Sequence, residues 1–190
     1  GQDHGLRGTV AELIDVPKGY ETAVETALGQ GLQNIVCSTD ADAKRAINRL
    51  KEASAGRLTF LPLESIKGNR AQLDRVITSA NGFEGLACDI VKYDPEYKAV
   101  FDYLLGRVVI VRDMDTAVRL SKNIGSSVRF VTLEGEVVNA NGAITGGRFK
   151  NKTSNILSRK NEIISLDSEM RRLLKDQEHQ SALLKADEEK

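Results

Sequence analysis

The sequence predicts an α/β fold of mixed α+β character, in which two similar subdomains are followed by one long helix. Three observations predict it. A stretch beginning near residue 8 is echoed near residue 85, β-branched runs alternate with amphipathic helical patterns inside each copy, and the composition changes at Asn155.

The repeat comes first because an internal period constrains a fold before any single element does. Residues 8–63 align in order with residues 85–133. Gly8 matches Gly85 and Tyr20 matches Tyr97 at the same offset of 77. Ala23-Val24 matches Ala99-Val100, Ala43 and Arg45 match Ala117 and Arg119, and Phe60 and Leu63 match Phe130 and Leu133 at an offset of 70. The offset shrinks only where loops are expected.

Each copy opens with an apolar run, Val10 to Val16 and Leu86 to Val91. Pro17 and Pro95 then precede helical patterns over Tyr20–Leu28 and Tyr97–Leu105, since proline is tolerated in a first helical turn. The runs "NIVCS" and "RVVIV" suit strands buried on both faces. A second helix follows. "STDADAKRAINRLKEA" begins with Ser and Asp residues suited to capping and places Ala43, Ala46, Ile47 and Leu50 on one face. "DMDTAVRLSKNIG" has the same form and is expected to stop at Gly125. "RLTFLPL" and "VRFVTL" close the units as strands, so the sheets should be at least partly parallel. Residues 64–84 read as a linker with a short helical turn. "GEVVNANGAITGG" reads as a hairpin with strands "EVV" and "AITG" around an Asn-Gly turn. These patterns divide the chain into subdomain I at 1–80, subdomain II at 81–154 and a helical segment at 155–190.

That last segment contains neither Gly nor Pro. Ile156, Ile163, Met170 and Leu184 follow a seven-residue period, with Gln177 at the remaining position. Leu166 and Leu173 fill the intervening seam, and Arg159 and Gln180 are polar intruders. The pattern is that of one strand of a coiled coil. The alternative is a single surface helix packed on the body.

Charge excludes some functions. The chain of 190 residues carries 27 basic and 27 acidic side chains, so no global field draws it to a polyanion. Contact with nucleic acid must come from a local cluster. Cys37 and Cys88 are too few and too far apart for a disulfide framework or a zinc site. They read as buried thiols of a reducing compartment. No run approaches the ~18 apolar residues of a membrane span. No signal peptide is visible, and the opening "GQDHGLRG" reads as a cut end.

The glycine cluster at residues 142–147 invites a phosphate-loop reading. It has the GxxxxG spacing, but Arg148 and Phe149 stand where such a loop needs Lys and a hydroxyl. His4 and His179 lie at the frayed start and on the polar face of the tail, and no nucleophile motif is present. The expectation is therefore a non-catalytic domain without a cofactor or metal. Glycine is also required where φ is positive or where another backbone comes close. A late hairpin edge with minimal side chains fits that second need.

Several blocks together carry a family resemblance: Gly8, "VAELI" at 10–14, "YETAVETALG" at 20–29, "GRLTFLPL" at 56–63 and "TLEGEVVNANGAITGG" at 132–147. They resemble the hinge domain of structural maintenance of chromosomes (SMC) proteins, most closely the bacterial kind. The family pattern in the last block is roughly GGxxTGG. Asn141 replaces its first glycine, and Asn tolerates a left-handed conformation, so the turn should survive.

The resemblance implies two similar subdomains in the SMC hinge fold, with residues 155–190 starting the returning coiled-coil arm. It implies a homodimer joined at Gly142, Ala143, Ile144, Thr145, Gly146 and Gly147. It implies weak, non-specific DNA binding near the coil junction, where Arg148, Lys150, Lys152, Arg159 and Lys160 cluster. In the full-length protein it implies ATP binding and hydrolysis by a distant head domain, an antiparallel arm of the same chain, a role in chromosome condensation and segregation, and a cytoplasmic, nucleoid-associated location. Two other readings remain: a ligand-binding regulatory α/β domain attached to a coiled coil, and a nucleotide-dependent enzyme.

Overall fold

The computed structural model describes residues 5–123, 127–147 and 156–188. Unit I runs β1 (Leu6–Thr9), α1 (Val10–Leu13), α2 (Glu21–Leu28), β2 (Ile35–Cys37), α3 (Asp40–Glu52), β3 (Phe60–Pro62). After a linker with one helical turn, α4 (Arg75–Thr78), unit II repeats the order as β4 (Phe83–Leu86), α5 (Ala87–Ile90), α6 (Lys98–Leu105), β5 (Val108–Val111), α7 (Met114–Ser121), β6 (Arg129–Thr132). It then adds β7 (Val137–Val138) and β8 (Ile144–Thr145), and α8 (Ile156–Glu188) follows.

The two sheets share one topology. β2 pairs antiparallel with β1 and parallel with β3, and β5 does the same with β4 and β6. Only the β2–β3 and β5–β6 pairs are parallel. The hairpin extends the second sheet to the order β4-β5-β6-β7-β8, leaving β8 at its edge. All four residues of β5 are buried, as the run "RVVIV" predicts.

The apolar runs that open the units are not strands throughout. β1 ends just before the first run and β4 ends on Leu86, the first residue of the second, and a single helical turn follows each strand. Glycine explains the match at Gly8 and Gly85. Each sits at an irregularity in register, with φ of 135° and 150°. A Cβ is strained at such φ, so the bulge selects glycine in both copies.

Side-chain caps fix the helix starts. Thr9 and Glu12 form a reciprocal box on α1, Thr39 and Asp42 form another on α3, and Asp113 accepts the Thr116 N–H at 2.8 Å on α7. On α3, Ala43 and Ala46 are buried, whereas Ile47 stays partly exposed, so the predicted face is narrower than expected. Gly125, the expected stop of the next helix, lies outside the described residues.

One apolar core runs through both units, with Phe101, Phe130, Ile14, Leu105 and Ile110 among its most buried members. The units also meet through polar contacts. Asp15 and Lys92, equivalent positions at the offset of 77, exchange main-chain hydrogen bonds at 2.8 Å in both directions. Tyr20 O–H donates to Glu84 at 2.9 Å, and Arg129 donates to the Ala27 carbonyl at 2.6 Å. Burial holds the Arg129 pKa below its ordinary value.

Candidate functional site at the hairpin edge and the helix root

The hairpin turn is built by its own polar groups. Asn139 N–H donates to Ala143 O at 2.8 Å, and Gly142 N–H returns a bond to Asn139 O at 2.9 Å. Val137 pairs with Thr145 and Val138 with Ile144. The positive φ falls on Gly142, at 90°, and not on Asn141. Asn141 instead accepts the Ala143 N–H on its side-chain oxygen at 3.1 Å, an Asx turn. The turn survives without Asn141 adopting the left-handed conformation.

Gly142, Ala143, Ile144, Thr145, Gly146 and Gly147 are all exposed, and Ile144 shows 58% of its surface. Two of these glycines have a conformational reason, Gly142 and Gly147, whose φ is 112°. Gly146 has none. A Cβ there would meet only Glu136, at 3.8 Å, which is ordinary contact. Nothing within the described chain requires position 146 to be small.

Of the basic cluster, Arg148, Lys150 and Lys152 lie outside the described residues. Arg159 is exposed on α8. Lys160 has turned inward: its Nζ donates to the carbonyls of Ala11 and Glu12 at 3.1 Å and of Ile14 at 2.5 Å. An ammonium has three donors, and these three carbonyls occupy them.

The helix root also contains residues that the heptad pattern did not reveal. Leu157 is 1% exposed and joins the core, whereas its neighbour Ile156, the expected seam residue, is 41% exposed. The Ile156 N–H donates to the buried Glu25 carboxylate at 2.8 Å. Burial raises the Glu25 pKa, and this hydrogen bond offsets part of the rise. Asn161 donates to Val16 O at 2.8 Å and to Glu21 at 3.0 Å. Glu21 has its pKa lowered: burial opposes the shift, but the Asn161 bond leads the hydrogen bonds that outweigh it. Beyond the root, Ile163, Leu166, Met170, Leu173 and Leu184 are exposed along α8. No signal in sequence marks Glu25, because its partner is 131 residues away.

Both cysteines are buried as expected. Among the described residues there is no group of side chains that could hold a metal and no helix long and apolar enough to cross a membrane.

Comparison with known proteins matches this arrangement. The family described as "SMC proteins Flexible Hinge Domain" covers residues 3–121. The chromosome partition protein Smc of Desulfitobacterium hafniense is 44% identical over 164 residues, which are 86% of this chain and 14% of that protein. That of Bacillus subtilis is 41% identical over 182 residues, 95% of this chain and 15% of that protein. The chain thus spans about one seventh of the length of these curated relatives. Among solved structures, an asymmetric dimer of the Geobacillus stearothermophilus SMC hinge domain superposes with a TM-score of 0.79 at 39% identity, over 88% of this chain and 68% of that one. The Pyrococcus furiosus SMC hinge domain gives 0.64 at 40% identity, over 78% and 76%. With a repeated β-α-α-β-α-β unit, an exposed hairpin edge and a long helix leaving the body, this chain belongs to the SMC hinge-domain family.

Proposed function

We infer that the chain is the dimerisation module of a chromosome-organising SMC ATPase, joining two coiled-coil arms and touching DNA weakly. Gly146 carries the reading. It lies beside an exposed edge strand and, among the described residues, has neither a conformational need for glycine nor crowding around it, which leaves room for the close approach of a second chain. The exposed Ile144 and the outer edge of β8, which has no strand partner among the described residues, suit that neighbour, because an open strand edge is a template for pairing. The dimeric relative from Geobacillus stearothermophilus supports it.

The phosphate-contacting set is proposed as Arg148, Lys150, Lys152 and Arg159. Lys160 drops out of it, since its donors are held by main-chain carbonyls. ATP hydrolysis belongs, on this reading, to a head domain of the full-length protein, which would act on the nucleoid in the cytoplasm. The hinge itself joins and positions.

Sedimentation of the chain without ligand should show a dimer. Changing Lys150 and Lys152 together to Glu should leave that dimer intact and weaken every oligonucleotide by a similar factor, because phosphate contacts carry no base information. It should also flatten the salt dependence, since each neutralised duplex phosphate contributes a log–log slope of about −0.9. Unchanged binding by a dimeric double variant would remove these lysines from the site.

A further inference from the structure

The root of α8 carries more polar fastening than packing alone requires. Leu157 supplies an apolar plug. Around it the Ile156 N–H holds Glu25, Asn161 holds Val16 O and Glu21, and Lys160 holds three carbonyls. Asp15 Oδ1 lies 3.6 Å from the same ammonium.

Most of these acceptors lie close together. Ala11, Glu12, Ile14, Asp15 and Val16 form one short segment that ends α1 and turns toward α2. A helix end leaves its last carbonyls without intrahelical partners, and here a lysine from the far end of the chain satisfies them. The other side of the same segment grips unit II through the paired main-chain bonds of Asp15 and Lys92. The equivalent turn α5 is held differently. Among the described hydrogen bonds, its Cys88 carbonyl accepts a long bond from Tyr93 O–H at 3.5 Å and receives no lysine. The pseudo-symmetry of the units is therefore broken where α8 leaves, by residues of α8 itself.

The geometry points to residues 11–16 as the joint of the arm: Lys160 and Asn161 set the direction in which α8 leaves by gripping a segment that is itself pinned to unit II. This rests on reading α8 as an arm, but it is a separate claim. Apolar burial is non-directional, so Leu157 alone would let the helix swivel. Hydrogen bonds to backbone carbonyls are directional, and those carbonyls are fixed. A helix held this way transmits a tilt to the segment that meets unit II at Asp15 and Lys92. Lys160 and Asn161 are positioning residues.

Pulsed electron resonance can test this. Because Cys37 and Cys88 are buried, spin labels can be directed to cysteines introduced by Asn48→Cys on α3 and Glu169→Cys on α8. Labelled chain is diluted into unlabelled chain so that only distances within one protomer are read. The parent should give one narrow distance. Lys160→Met, which keeps the stem and removes the donors, should replace it with a broad distribution while helical content by circular dichroism stays unchanged. A narrow, unshifted distance in folded Lys160→Met would overturn the proposal. If that variant does not fold, Asn161→Ala decides by the same criterion. Sedimentation of the same samples separates the two readings: a monomer with a narrow distance counts against the dimer, and a dimer whose distance stays narrow in the variant counts against the joint.

Discussion

Replacing Gly146 by Val separates what the monomer needs from what a partner needs. Among the described residues the new Cβ meets only Glu136, at 3.8 Å, and the backbone there is not left-handed. The substitution should therefore cost the monomer nothing. Replacing a glycine whose backbone conformation the new residue can adopt also restricts the unfolded chain, so the monomer should be no less stable than the parent. A close backbone contact across an interface behaves in the opposite way. Overpacking costs about 1–3 kcal/mol per site, and a symmetric pair carries the residue twice, so the dimer should lose about 2–6 kcal/mol. At about 1.4 kcal/mol per tenfold, that raises Kd at least about twentyfold. Sedimentation equilibrium over a concentration series measures Kd. Denaturant unfolding at a concentration where both proteins are monomeric measures the fold, which avoids stabilisation by mass action. An unchanged Kd with a sound monomer would place the contact elsewhere, and a destabilised monomer would show that the space beside Gly146 is not open.

Glu25 gives a pH test. Its pKa is raised chiefly by burial, so the folded state binds the proton more tightly than the unfolded chain does. Stability is then lost as pH rises from the ordinary glutamate value of about 4.3 through the folded value. Glu25→Gln keeps an acceptor for the Ile156 N–H and removes the buried charge, so its Tm should exceed the parent's at neutral pH and converge with it in acid; equal Tm values at every pH would contradict the assignment. Cys88 has its thiol pushed up to about 11, with burial the main cause and Arg70 opposing it. A thiol reagent at mildly alkaline pH should modify Cys88 only as fast as the core opens, and rapid stoichiometric labelling of the native chain would disprove that protection.

The sequence by itself determined the repeat, and with it the fold. Gly8 and Gly85 coincide in the repeat because a bulge with positive φ admits almost nothing else, and Tyr20 and Tyr97 because they stand at the starts of equivalent helices. The buried strand in "RVVIV" and the capping Asp113 were equally legible, since strand burial and helix caps are local properties of a few neighbouring side chains; on α3 the cap is Thr39, beside the Ser and Asp residues that the sequence suggested. The hairpin was visible in its Asn-Gly turn for the same reason. Only the tertiary structure decided that Gly146, unlike Gly142 and Gly147 beside it, has no conformational reason to be glycine among the described residues, because the space around it is a property of the surrounding chain and not of its neighbours in sequence. It alone assigned Lys160, whose charge looks from sequence like part of a surface cluster, to carbonyls 146–149 residues away. It alone put Leu157 rather than Ile156 in the core, since a heptad pattern gives the spacing of a seam but not the rotation of the helix against the body that it leaves.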